Sequence, residues 1–150
     1  MDRERLKRQI VSDEGVIYQI YNDHLGNPTF GVGHLILRSD PEFGLPAGTA
    51  VPKQRVWDVF EYDLQTAIDE TRILFGLDFD TWPAAAQEVL VNMVFQMGRT
   101  RVSRFVNMID ALKRRDWRSA AAHGRDSLWW REQTRNRAER LMKRLESITQ

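Results

Sequence analysis

The chain has 150 residues, 42% hydrophobic and 29% charged, with a formal net charge of +1 and no cysteine. That balance fits one globular domain, or one domain with two lobes, and excludes a disordered segment, a disulfide scaffold and a thiolate metal site. The charged start, MDRERLKRQI, and the lack of any long apolar run leave no signal h-region and no membrane span. A protein of this kind acting outside the cytoplasm is expected to depend on a separate partner for release.

Charge is unevenly spread: residues 1–98 carry 8 basic and 15 acidic side chains, and residues 99–150 carry 14 and 6. A basic C-terminal half suits a polyanion such as nucleic acid or an anionic envelope. It suits equally two solvated faces of opposite sign that attract one another.

In chain order, Asp2 to Asp13 reads as a helix, with Leu6 and Ile10 four apart on one face and Gly15 as its stop. Glu14 then falls where helix gives way to turn, free to project away from the core. Strand signals on either side of Gly26, Val16 to Tyr21 and Thr29 to Val32, predict a hairpin. Asp13, Glu14, Tyr18, Tyr21, Asp23, Thr29 and His34 crowd this stretch more densely than folding alone requires. The Pro- and Gly-rich residues 35–54 predict an irregular loop or short strand.

Pro52 opens a long helix to about Phe75, in which Phe60, Asp63, Leu64 and Ala67 share a face and place a carboxylate inside an apolar stripe. Such an acid needs a partner. Trp82 and Pro83 introduce a helix apolar on nearly every side from Val89 to Met97, central to the domain and ended by Gly98. Phe105, Ile109 and Leu112 predict the buried face of another; Asp116 caps a short one, and Thr134 caps the last, where Ala138, Leu141, Met142 and Leu145 repeat. The sum is an α+β fold, mostly α: six or seven helices around a central one, with one small sheet near the N-terminus.

Two acids in unlike settings are the minimum equipment for glycoside hydrolysis, one to protonate the leaving oxygen and one to activate water. Glu14 and Asp23 form the natural pair. The same spacing also allows Glu14 to pair locally and Asp23 simply to begin a turn. His34 has three available roles, as base, metal ligand or structural partner. The three histidines, His24, His34 and His123, stand in separate contexts with no HExxH spacing, so no metal is expected, and a buried ion pair of His34 with Asp63 is preferred. Arg137 can hold a carboxylate such as Glu14 or be one more surface arginine. Trp129 and Trp130 offer faces for a sugar ring, but adjacent residues on a helix diverge, so at least one belongs to the core.

Asp13-Glu14-Gly15, Tyr21 to Asp23 with Gly26, Thr29 to His34, Asn92 to Gly98 and Asn136-Arg137-Ala138 together resemble the phage-type lysozyme family, that of the T-even phage lysozymes. These motifs keep the family's order over nearly the whole chain. The resemblance implies a cofactor-free muramidase, an endolysin cutting the β-1,4 bond from N-acetylmuramic acid to N-acetylglucosamine in peptidoglycan, with inversion. Glu14 would be the general acid, Asp23 the water-positioning carboxylate and Thr29 the residue at the attacked face. Gln96, Trp129 and Phe30 would contact substrate, and His34, Asp63 and Arg137 would give support, His34 with Asp63 and Arg137 with Glu14.

It also implies a lysozyme-like domain over 1–150, with a small lobe at about 12–60 joined by the long helix to a helical lobe at about 1–11 and 61–150. The protein would be a monomer made in the host cytoplasm and passed by a holin to the periplasmic wall. Two departures stand out: a shorter segment between His34 and Asp63 than in the best-known member, and Arg135 where that member has proline. The rival expectations are a catalytically silent peptidoglycan-binding domain of the same fold and a basic helical nucleic-acid binder.

Overall fold

The structure, a computed structural model, describes residues 1–149. Its chain divides into two compact units, residues 4–65 with the sheet, and residues 1–3 with 66 onward, which are helical.

In the sheet unit, helix α1 (Arg3–Glu14) buries Leu6 and Ile10. Gly15 ends it with φ 75° and an amide that donates to the Val11 carbonyl at 2.8 Å, a conformation that favours glycine. Strands β1 (Ile17–Asn22), β2 (Pro28–Gly31) and β3 (His34–Leu35) form an antiparallel sheet in that order, with an irregularity between Ile17 and Tyr21. Tyr21 lies opposite Thr29, and Phe30 opposite His34.

The predicted loop does contain a short strand, β3, and then returns to β1: the Ile20 amide donates to Thr49 at 2.9 Å and the Val51 amide to Tyr18 at 3.0 Å. Those bonds satisfy backbone groups on the outer edge of β1. Ile20, Phe30, Ile36, Val51, Val56 and Val59 make this unit's core.

Helix α2 (Lys53–Phe75) begins just after Pro52, whose carbonyl accepts from the Val56 amide at 3.1 Å. The helix runs from one unit into the other. All of α1 beyond Arg3 groups with the sheet, where Lys7 makes an ion pair with Glu61 of α2. Only Met1 to Arg3 belong to the helical unit, and there the Asp2 amide donates to the Glu88 carboxylate at 3.0 Å.

In the helical unit a 3-10 turn (Leu77–Thr81) leads to α3 (Ala84–Met97), buried without interruption from Ala86 to Val94 as its all-round apolar pattern requires. Helices α4 (Arg99–Val102), α5 (Val106–Lys113), α6 (Trp117–Arg125) and α7 (Arg135–Glu146) follow, with α7 packed on α6 and α3. Trp82 rests against Phe75, Phe79 and Trp117 at ring separations of 5.1, 5.6 and 5.6 Å.

Two expectations are corrected here. The buried face of α5 is Met108, Ala111 and Leu112; Phe105 stands before the helix and Ile109 is only partly covered, because the helix is turned by about one residue from the predicted face. Asp116 caps α6 as expected, accepting from the Ser119 amide at 3.1 Å. Thr134 precedes α7 without a capping bond, since its hydroxyl accepts instead from Gln96 Nε2 at 2.9 Å.

Much of the C-terminal basic charge is taken up locally. Arg99 pairs with Glu70, Arg125 with Glu139 and Glu146, Arg131 with Asp126 and Arg144 with the fully buried Glu88. The pattern of attraction between opposite signs is therefore met inside the helical unit itself.

Candidate active site

Glu14 is the last residue of α1 and is partly buried. Its carboxylate lies against the backbone of Gly33, where an added Cβ would stand 2.5 Å from Glu14 Oε1. Gly33 also has φ 63°, so the turn between β2 and β3 leaves room for this acid in two ways: by conformation and by the absence of a side chain.

Asp23 closes the hairpin turn. Its Oδ1 accepts from the amides of Leu25 at 2.9 Å and Asn27 at 2.8 Å, and its own amide donates to the Asn27 carbonyl at 3.0 Å. Gly26 completes the turn with φ 82°. The Asn27 amide above all, with smaller help from Leu25, the Asn27 side chain and His24, holds the Asp23 carboxyl below the usual carboxylate range, against the opposing effect of partial burial. The turn-forming role thus comes with a chemical consequence, an acid that stays ionised.

Tyr21 feels the charge of both acids. Burial, then the charge of Glu14, then that of Asp23 push its phenol above the ordinary value, so both carboxylates act on one ring. Thr29, its partner across β1 and β2, is 4% exposed, and its hydroxyl donates to the Asn27 carbonyl at 2.8 Å.

Phe30, expected to contact substrate, is fully buried. It points to the core face that alternates with Thr29 along β2 and packs on His34 at 5.0 Å, so its role is support.

His34 meets Asp63 through Nδ1 at 2.7 Å, as its apolar-stripe carboxylate led one to expect, and also meets Asp40 through Nε2 at 2.8 Å. With a carboxylate at each nitrogen, both must donate, which is the imidazolium form. Burial, the largest single influence, opposes that charge, but the bonds to Asp63 and Asp40 outweigh it and raise the His34 pKa. Arg55 extends the network to Glu42, with bonds of 2.9 and 3.1 Å, and to Asp40 at 3.4 Å. No cluster of metal-ligating side chains occurs among the described residues.

In the helical unit, Trp129 is 2% exposed and donates from Nε1 to Gln96 Oε1 at 3.1 Å. A π-helical turn (Trp129–Gln133), closed by the Thr134 amide on the Trp129 carbonyl at 3.1 Å, holds it there. Its face is covered, as the sequence required of at least one of the two adjacent tryptophans; it fixes Gln96, whose amide is held at both ends by Trp129 and Thr134. Arg137, 8% exposed, is no surface arginine: its Nε and Nη2 donate to Asn92 Oδ1 at 3.0 and 2.7 Å.

Sequence reading missed Asp40, Asn92 and the steric part played by Gly33. Asp40 lay in a loop of unpredictable path, and Asn92 looked like one polar residue in an apolar helix.

Residues 11–147 match the profile of the family described as phage lysozyme. The chain belongs to the phage lysozyme family. Among its curated relatives, it is 32% identical to the pre-baseplate central spike protein Gp5 of Enterobacteria phage T4, over 86% of the chain and 25% of that protein. It is 28% identical to the probable T4-type lysozyme 2 of Dictyostelium discoideum, over 96% of the chain and 95% of that protein. It is likewise 28% identical to the peptidoglycan hydrolase gp36 of Pseudomonas phage phiKMV, over 93% of the chain and 15% of that protein. The chain therefore spans a quarter or less of the two phage proteins and nearly all of the Dictyostelium one.

Proposed function

We propose that the chain is a muramidase, hydrolysing the β-1,4 bond from N-acetylmuramic acid to N-acetylglucosamine in peptidoglycan. The observation that carries this reading is a pair of acids of unlike setting in the sheet unit, Glu14 at the end of α1 against the Gly33 backbone and Asp23 held by the amides of the hairpin turn. Relatives named as a lysozyme and as a peptidoglycan hydrolase support the substrate class.

In the proposed reaction Glu14 gives its proton to the glycosidic oxygen as the bond from that oxygen to the anomeric carbon breaks. A water on the opposite face forms the new bond to that carbon and gives a proton to Asp23, which its turn keeps ionised and ready to accept. The proton returns through solvent to Glu14. Attack from the opposite face inverts the anomeric configuration.

Thr29 lines the attacked face, and Gln96 contributes to substrate contact. Release by a holin, action as a monomer and the two-lobed single domain belong to the same proposal. Turbidity of chloroform-treated Gram-negative cells tests it: the wild-type chain clears them and Glu14→Gln does not, although it melts at the same temperature. Clearing by Glu14→Gln at the wild-type rate refutes the reading and leaves Glu14 a structural acid.

A further inference from the structure

Both aromatic residues first assigned to substrate, Phe30 and Trp129, are covered. Tyr21 is the aromatic residue beside the two acids. It is only partly buried, and among the described residues its hydroxyl makes no hydrogen bond. Its position follows from strand register: Tyr21 is directly opposite Thr29 on an antiparallel pair, and residues so placed project from the same face with Cβ atoms roughly 5 Å apart. Asp23, two residues on, lies in the turn that joins β1 to β2, its amide donating to the Asn27 carbonyl at 3.0 Å, so the three residues belong to one hairpin.

We propose that Tyr21 is a positioning residue of the hydrolysis, its hydroxyl fixing, together with Asp23 and Thr29, the water that attacks the anomeric carbon. This rests on the muramidase reading. A phenol that keeps its proton is a donor with two acceptor lone pairs, so it can hold a water while Asp23 accepts that water's proton. Burial, and after it the charges of Glu14 and Asp23, raise its pKa further above the ordinary value, so it keeps its proton through the neutral range. In the reaction the water oxygen bonds to the anomeric carbon, its proton passes to Asp23, and the leaving oxygen takes the proton of Glu14; Tyr21 exchanges no proton and only orients. The Thr29 hydroxyl, which donates to Asn27, retains its lone pairs for the same water.

The test is a double-mutant cycle on a soluble peptidoglycan fragment, with wild type and Glu14→Gln as controls. Tyr21→Phe lowers kcat about tenfold to a hundredfold, with KM within about twofold of wild type and the melting temperature unchanged. Thr29→Val lowers kcat as well, and the double variant loses no more than the worse single one, because both hydroxyls serve one water. Wild-type kcat in Tyr21→Phe, or losses that multiply in the double variant, overturns the proposal.

Should Tyr21→Phe melt early, 3,5-difluorotyrosine at position 21 keeps the ring and hydroxyl but ionises at lower pH. The ratio of variant to wild-type kcat then falls as pH rises through the ionisation of the fluorophenol; a ratio independent of pH also overturns it. If wild type is inactive or Glu14→Gln is as active as wild type, the muramidase reading itself fails, and the role of Tyr21 falls with it.

Discussion

The sheet unit holds two clusters of acids, one around His34 of β3 and one around Tyr21 of β1, and they are held in different ways. Around His34, Asp63 and Asp40 occupy the two ring nitrogens, and Arg55 neutralises Glu42 and reaches Asp40. Around Tyr21, two carboxylates face a phenol whose hydroxyl has no partner among the described residues, and Asp23 is held by backbone amides. Within one small unit, then, groups that stabilise the fold have their hydrogen-bonding capacity filled by protein. Around Tyr21, Asp23 is instead fixed by the amides of its own turn, and Thr29 donates to the Asn27 carbonyl.

Four outcomes would break or sharpen that contrast. The largest is Glu14→Gln, expected to cost on the order of 10²–10⁴-fold in hydrolysis rate while leaving thermal unfolding unchanged, since an acid kept for proton transfer contributes little to the fold. Kinetics on purified peptidoglycan beside a thermal melt checks both halves.

His34→Ala should do the reverse. It leaves Asp63 and Asp40 facing one another without the imidazolium, at a cost of roughly 3 kcal/mol by denaturant unfolding. The remaining folded fraction should hydrolyse normally. A stability loss under 1 kcal/mol would mean that the network is solvent-screened and the contrast is shallow.

Gly33→Ala comes next and belongs to the reacting cluster. The positive φ costs about 1 kcal/mol of stability, and the new methyl group forces Glu14 aside. Activity should fall by more than the stability loss accounts for, which a comparison of kcat with unfolding free energy at one temperature reveals.

The smallest effect is pH dependence. Because the folded His34 pKa is raised from about 6.5, its pairs contribute in full below that value and lose their contribution as pH rises through the folded value. The Asp40 carboxyl is lowered: burial opposes this, but the Leu37 amide, His34 and Arg55 prevail, so its contribution holds above about 3.8 and fades as pH falls through the lower folded value. The gap in unfolding free energy between wild type and His34→Ala should therefore narrow on both sides of the window between those ordinary values. A gap independent of pH would remove the imidazolium from the account.

The elements most legible in the sequence were those set by local rules. Gly15 and Gly98 marked helix ends because positive φ suits glycine, and the all-round apolar run after Pro83 marked a buried helix. A carboxylate within the stripe of α2 announced a partner, and His34 answered it. What was not legible depends on the path of the chain at longer range. Asp40 reaches His34 only after the loop has turned back, and Thr134 gives up its capping role to a residue 38 positions away. Phe30 was assigned to substrate by resemblance, yet it is fully buried and packs on His34. Trp129 looked like a sugar platform because aromatic type says nothing of depth, and the π-helical turn that covers it has no sequence signature. Glu14 and Asp23 were recognisable as acids near turns. Their shared neighbour, Tyr21, becomes visible only with the strands in register.

The central claim, that these two acids cut the muramyl glycosidic bond, is tested most directly by the new reducing end. Peptidoglycan digested by the purified chain, reduced with borohydride and hydrolysed, should release muramitol, with none formed by Glu14→Gln. Glucosaminitol instead, or new peptide amino termini without any reducing sugar, would contradict the account.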